Sequence, residues 1–312
     1  MAYTTGEATS YKDLLVTLKD FAVASGWTCL RHAQGTGDEP DELILRSSGT
    51  GAEQVFVGMA TEANSAGGRN WRLQGFTGFS PELTFDAQPG AYGDPAHCPR
   101  LCLLDAGLRY WLFVSARRII VVAKASTTYQ IGYLGLILPY GPPSSLPYPL
   151  LVGGCGCMPD AVWSAQTDSN TPFYNASFSA PTVYARPDFS SGLLLLGQWR
   201  NILHRWKRAS DSSWTEDRTL GLWPWSLPAA SSYYATFATL RGNLDGSLPL
   251  LPAILCAGAP NRNLYGELDG MRAVPGYGVA AEDTITTPDG TYIVFSGSHT
   301  TDRAAFVAVR QE

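Results

Sequence analysis

The chain has 312 residues, with 22 lysines and arginines against 27 aspartates and glutamates, for a net charge of −5. Charged residues make up only 16% of it, so there is no bulk cationic coat to hold nucleic acid or an anionic membrane. The 45% hydrophobic share, with 9 Trp, 15 Tyr and 12 Phe, excludes a disordered chain, and the 32 glycines have no period of three, which excludes collagen.

The first eleven residues are polar and small, with no basic stretch leading into an apolar one, so no secretory leader is expected. Residues 10–24 predict a helix, because Leu14, Leu15, Leu18, Phe21 and Ala22 recur at spacings of three and four. Ser10 or Thr9 can cap its start, Gly26 can end it, and Trp27 is placed to anchor that end to a sheet. Strands are predicted at 41–48, 54–63 and 70–79, with Gly49-Thr50-Gly51 turning between the first two. Trp71, Leu73 and Gly75 share one face of the third. A loop rich in Pro and Gly follows over 88–99.

Residues 108–138 are the strongest β segment. Strands over 110–114, 118–124 and 129–138 predict an antiparallel meander. Its nearly continuous apolar run implies burial on both faces, with an oligomer interface as the expected second cover. Lys124, the run Ser126-Thr127-Thr128 and glycines interrupt it, so it falls short of the roughly 18 apolar residues of a membrane helix, and no membrane insertion is expected.

Prolines 139, 142, 143, 147 and 149 make the next segment an ordered loop in which Tyr140 and Tyr148 offer flat surfaces. A strand is expected to enter a loop over 193–206. Residues 210–227, with Trp214, Trp223 and Trp225, read as a protruding arm. Strands return at 252–257 and 264–274. A hairpin follows, with 283–287 and 291–296 flanking Pro288-Asp289-Gly290, and 304–310 closes the sheet. The expected fold is mainly β, with antiparallel sheets in a sandwich-like or mixed arrangement and an N-terminal helix, in one interwoven body over 1–312.

Chemical motifs are sparse. Cys98, Cys102, Cys155 and Cys157 are the metal-ligand candidates, for zinc or an iron–sulfur cluster, but neither pair has the two-residue spacing of a metal knuckle, so no cofactor is expected. The four histidines are scattered, and there is no phosphate-binding Gly-Lys-Ser/Thr loop or Gly-x-Ser-x-Gly elbow. Glu267 and Asp269 fall on one side of a predicted strand, and Glu282 and Asp283 are neighbours before the hairpin; turn stabilisation and solvent-facing charge are the ordinary roles of such pairs. Arg117, Arg118 and Lys124 form one basic cluster, and Arg200, Arg205, Lys207 and Arg208 a second, interleaved with His204 and Trp206. Neither carries a nucleic-acid motif, and salt bridges to a neighbouring subunit fit the acidic total at least as well.

Several stretches carry a resemblance. They are Met1 through Gly6 with Tyr11-Lys12-Asp13-Leu14-Leu15 and Gly26-Trp27-Thr28, then Asn70 through Gly78 with Gln88-Pro89-Gly90. The run from Arg118 to Lys124, with Tyr129, Tyr133-Leu134-Gly135 and Pro147-Tyr148-Pro149-Leu150, is the closest, followed by Tyr265 through Gly270 and Ala280-Ala281-Glu282-Asp283. In these the chain resembles structural proteins of tailed bacteriophages and prophages. The resemblance implies a virion component of the tail tip or baseplate, with no catalytic residues to carry over.

On that footing the chain is expected to be a structural subunit, not an enzyme. Its expected partners are copies of itself and other phage tail or baseplate proteins, in the virion, after assembly in the host cytoplasm. The interface candidates are Trp111, Tyr129, Tyr140, Tyr148, Trp223 and Trp225, each of which can equally be core within its own subunit. The rival readings are a host-receptor-binding module, a head–tail neck protein touching DNA, and a glycan or peptide hydrolase.

Overall fold

The computed structural model describes residues 1–51, 53–92, 95–143, 146, 148–155, 159–160, 162–165, 173, 192–196, 205–206, 215–216, 220–225, 240–242, 246–257, 264–297 and 306–311. In chain order these form β1 (Ala2–Ala8), α1 (Tyr11–Ala24), β2 (Thr28–Ala33), β3 (Glu42–Ser47), β4 (Val55–Ala63), β5 (Arg69–Phe76), β6 (Arg100–Leu103), β7 (Leu108–Val114), β8 (Arg118–Ala125), β9 (Thr128–Leu136), β10 (Leu138–Pro139) and β11 (Leu150–Gly154). There follow β12 (Gly192–Leu196), β13 (Arg205–Trp206), β14 (Thr215–Glu216), β15 (Leu220–Trp223), β16 (Leu251–Ala257), β17 (Leu264–Ala273), β18 (Thr284–Thr287), β19 (Gly290–Phe295) and β20 (Val307–Arg310).

The strands build three main antiparallel sheets. The central one runs β1-β7-β8-β9-β11-β12, the second runs β2 through β6 in order, and the third runs β15-β16-β17-β20-β19-β18 with β10 beside β17. The expected mainly β, antiparallel, sandwich-like fold with one helix near the N-terminus is what the chain adopts.

Strand alternation explains the layers. On β7 and β8, Leu112, Val114, Ile119 and Val121 join Leu43, Val57 and Leu73 of the second sheet and Leu14, Leu15 and Leu18 of α1 in one buried cluster. Their alternates Trp111, Phe113, Ile120 and Val122 join Leu255, Leu268, Phe295 and Val309 of the third sheet in another. The central sheet is therefore covered on both faces by its own chain. Here the expectation is corrected: the second cover is the third sheet, so the continuous apolar run of β8 needs no partner subunit to bury it.

The helix forms where its sequence says. The Ser10 side chain accepts from Asp13 N at 3.1 Å, and the Asp13 carboxylate takes Thr9 N at 2.7 Å, a reciprocal cap. Tyr11, Leu14, Leu15, Leu18 and Ala22 are buried, each leucine adding about 1.5–3 kcal/mol. Gly26, at φ 95°, turns the chain out, and Trp27 Nε1 donates to Ser115 O at 2.8 Å, fixing the helix end to the β7–β8 turn.

The chain itself joins the central and third sheets. After β9 the buried Ile137 passes the chain from the central sheet to β10, which pairs with β17 of the third. Beside residues 95–98, fully buried Arg100 binds Glu62 at 2.8 Å and donates to the carbonyls of Pro95, Ala96 and Cys98, so β6 carries a charge without an unpaired buried cation. Of the segment read as an arm, residues 220–225 lie in and against the third sheet: β15 pairs with β16, and Leu222 and Trp225 are buried. Apart from 215–216, residues 210–219 and 226–227 lie outside the described residues.

Candidate functional site

Three places on the surface combine the predicted aromatic residues with polar groups. The first follows from register. Arg109 of β7 stands opposite Lys124 of β8, and Lys124 stands opposite Tyr129 of β9. Two cations side by side on a sheet repel unless an anion answers them. Glu282, before β18, supplies it: Oε2 accepts from Arg109 at 2.7 Å, and Oε1 accepts from Lys124 at 3.0 Å and from the Tyr129 hydroxyl at 2.7 Å. Arg109 also lies 4.8 Å over the Trp111 ring, and Lys124 lies 5.1 Å over Tyr129.

Glu282 sits at φ 75°, a conformation that non-glycine residues rarely adopt, and its own N–H donates to Val294 O at 2.7 Å. Burial pushes the Glu282 carboxyl up, but the hydrogen bonds from Tyr129 and Lys124 and the two nearby positive charges outweigh it and hold the group below the usual range. Burial raises the Tyr129 phenol, and the bond to Glu282 raises it further. An ionised carboxylate with three donors on it is a clamp between the central and third sheets, not a general acid at neutral pH.

The second place is an open depression of about 350 Å³ lined by Glu53, Gln54, Phe56, Thr77, Leu136, Tyr148 and Pro149. Half-buried Tyr148 forms its floor. The hydroxyl donates to Phe76 O at 2.8 Å and accepts from Phe56 N at 3.2 Å, and burial drives its pKa upward. Tyr148 therefore ties the proline loop to β4 and β5 and presents a ring, not a free hydroxyl. Glu53 is engaged with Arg117 at 3.0 Å and with Thr50 N at 2.9 Å.

The third place is the short edge at β10. Tyr140 is 51% exposed and Leu264 57%, and the two are brought near each other by Tyr140 N donating to Tyr265 O at 3.0 Å. Pro139, which cannot donate, sits in this edge.

The six predicted interface aromatics thus separate by depth. Trp111, Tyr129 and Trp225 are buried in their own subunit, Tyr148 and Trp223 are half-buried, and Tyr140 is exposed. Trp225 packs edge-on against Phe173 at 5.8 Å, and Trp111 packs on Phe295 at 5.1 Å. The predicted cysteines separate too. Cys98 belongs to the cluster beneath α1, where burial pushes its thiol up to about 12, while Cys102 and Cys155 pack together beside Trp163. Cys157 lies outside the described residues. Among the described residues no three His, Cys, Asp or Glu side chains are grouped to hold a metal ion, and no helix is long and apolar enough to cross a membrane.

The first basic cluster is dispersed by the fold. Arg117 pairs with Glu53, Lys124 with Glu282, and buried Arg118 with Asp269 at 3.4 Å. The salt bridges expected to reach a neighbouring subunit are made within this chain. The acidic pair is likewise divided, with Glu267 held by Arg272 at 3.3 Å. Most of the second basic cluster lies outside the described residues, which include only the backbone of Arg205 and Trp206. Sequence reading did not connect Glu282 to Tyr129, because 153 residues separate them. The one available signal was an isolated carboxylate pair just before a hairpin.

Comparison with known protein families gives no match to this chain, and comparison with characterised proteins gives none either.

Proposed function

We propose that this chain is a virion structural protein of a tailed bacteriophage, a tail-tip or baseplate subunit that assembles with copies of itself and with other tail proteins. The observation that carries the reading is where the resembling stretches fall. Residues 1–6 and 11–15 fall on β1 and the start of α1, 26–28 on the turn into β2, 70–78 on β5 and just past it, 118–124 and 129–135 on β8 and β9, 265–270 on β17 and 280–283 at the Glu282 clamp, while 88–90 lie in the loop after β5 and 148–150 lead into β11. Most of them are strands or helix of the framework, so the resemblance is spread through the fold and is not confined to one surface loop.

A body with its apolar faces sealed internally makes its outside contacts through edges, rims and exposed aromatics such as Tyr140. This reading assigns no reaction to the chain and places it in the particle after assembly in the host cytoplasm. A second reading, a host-receptor-binding module, draws on the depression beside Tyr148, whose ring, Gln54 amide and Thr77 hydroxyl have the mixed character that sugar hydroxyls engage. Quantitative mass spectrometry of purified particles tests the first reading: the chain is expected at a fixed ratio to the tail proteins. Its absence from particles that are otherwise complete would end that reading.

A further inference from the structure

We infer that the outer edge of β1 is a self-association surface, where β1 of a second copy adds antiparallel about Thr5 and continues the central sheet across a twofold axis. This rests on the reading of the chain as an assembling subunit and names the surface it uses with its own kind.

The edge is open and regular. β1 is the terminal strand of the central sheet, its pairing with β7 runs without a shift from Ala2–Val114 to Ala8–Leu108, and among the described residues no strand pairs with its other side. Three other edges carry protection. β2 has a register shift between Cys29 and Arg31, β18 is only four residues long, and β10 contains Pro139. β1 is seven residues long, lacks proline and any break in register, and has Glu7 as its single charge.

The direction of its backbone groups follows from the neighbouring hairpin. Ser115 N donates to Arg118 O, so in the unbroken register Phe113, Trp111 and Arg109 point their backbone groups at β8. Their alternates Val114, Leu112, Tyr110 and Leu108 then bond Ala2, Thr4, Gly6 and Ala8. The N–H and C=O groups of Tyr3, Thr5 and Glu7 are left facing outward. Thr5 and Glu7 are also exposed as whole residues.

The sequence of this edge is complementary to itself in one register. With Thr5 on the axis, outward-facing residues meet outward-facing residues: Thr5 meets its copy and Tyr3 meets Glu7 on both sides, giving about six backbone hydrogen bonds. Threonine pairs with threonine, a favourable cross-strand neighbour, and no like charges face each other. The two Glu7 side chains are then about 14 Å apart. Centring on Glu7 instead would oppose two carboxylates. Centring on Thr4 would set Tyr3 against Thr5 and centring on Gly6 would set Thr5 against Glu7, so either loses the Thr5–Thr5 pair on the axis.

Two variants test this by sedimentation over a range of protein concentration, alongside thermal melts. Thr5→Pro deletes an outward donor and leaves the backbone ladder to β7 in place, and Thr5→Lys sets two lysines on the axis; both also remove the 2.7 Å bond from Thr5 Oγ1 to Tyr110 O. The wild-type chain is expected to show a concentration-dependent monomer–dimer equilibrium. Both variants are expected to stay monomeric over the same range, with melting midpoints lowered only slightly by the loss of the Thr5–Tyr110 bond. Should Thr5→Pro melt much earlier than Thr5→Lys, Thr5→Lys decides alone, since position 5 is exposed. A wild-type chain that is monomeric throughout, or a Thr5→Lys chain that associates like wild type, would overturn the inference. Particle composition separates this from the functional reading. A chain found in particles but monomeric sinks only the edge contact. A chain that dimerises through Thr5 but never enters particles sinks only the virion assignment.

Discussion

Glu282 and Asp269 are single carboxylates that answer cations on the central sheet, and their surroundings predict different behaviour. Glu282 is partly exposed and takes three donors, from Tyr129, Lys124 and Arg109. Its folded pKa is lowered, so its contribution to stability is present above the ordinary glutamate range and is lost as pH falls through the folded value. Glu282→Gln is expected to cost about 1 kcal/mol in urea unfolding near neutral pH. The difference from wild type should shrink as pH falls below the ordinary glutamate range and through the lowered folded value, where the Glu282 carboxyl becomes neutral like the amide. A constant difference across that window would mean that charge on Glu282 is not what holds the seam.

Asp269 faces a harder case. Its partner Arg118 is 1% exposed, lies 3.4 Å away, and has an Nη1 with no hydrogen-bond partner among the described residues. Burial pushes the Arg118 pKa down, against the pull of Asp269. Gly270, at φ 71°, is required beside it, because a Cβ there would meet the guanidinium. Removing the anion strands a buried charge, whereas removing the cation leaves a carboxylate that can reach water. Asp269→Ala is therefore expected to cost about 3 kcal/mol and Arg118→Met about 1 kcal/mol or less, compared by chemical denaturation. The reverse order would contradict this account of the pair.

At the scale of elements, the helix and the meander were legible because burial writes a period into the sequence. Leu14, Leu15 and Leu18 mark the helix face that the structure buries, and Ser10→Ala should cost it about 1 kcal/mol by thermal melting. The strands that escaped notice have no such signature. β1 is half-exposed and polar, and β6 begins with the charged Arg100, whose burial depends on Glu62 and three carbonyls distant from any local pattern. β11 lies just past the prolines, which read as loop until Leu150 pairs with Leu136. The carboxylates were visible as residues, but their partners were not, since Glu282–Tyr129 and Asp269–Arg118 are contacts between sheets that only the tertiary fold brings together.

For the whole molecule, the sequence signalled two-sided burial of β7–β9 but not its source. Phe113 and Val114 look identical in a pattern of apolar residues, yet they face different sheets. Because both faces are closed by the chain itself, aromatics such as Trp111 and Trp225 serve the core, and outward contacts fall to edges and rims. If the chain is the phage-tail subunit proposed above, its contacts with neighbours fall there. Electron cryo-microscopy of intact particles tests that assignment most directly. The account predicts density at the distal end of the tail into which the three stacked sheets fit, in contact with neighbouring subunits. A complete tail reconstruction with every density assigned to other chains would contradict it.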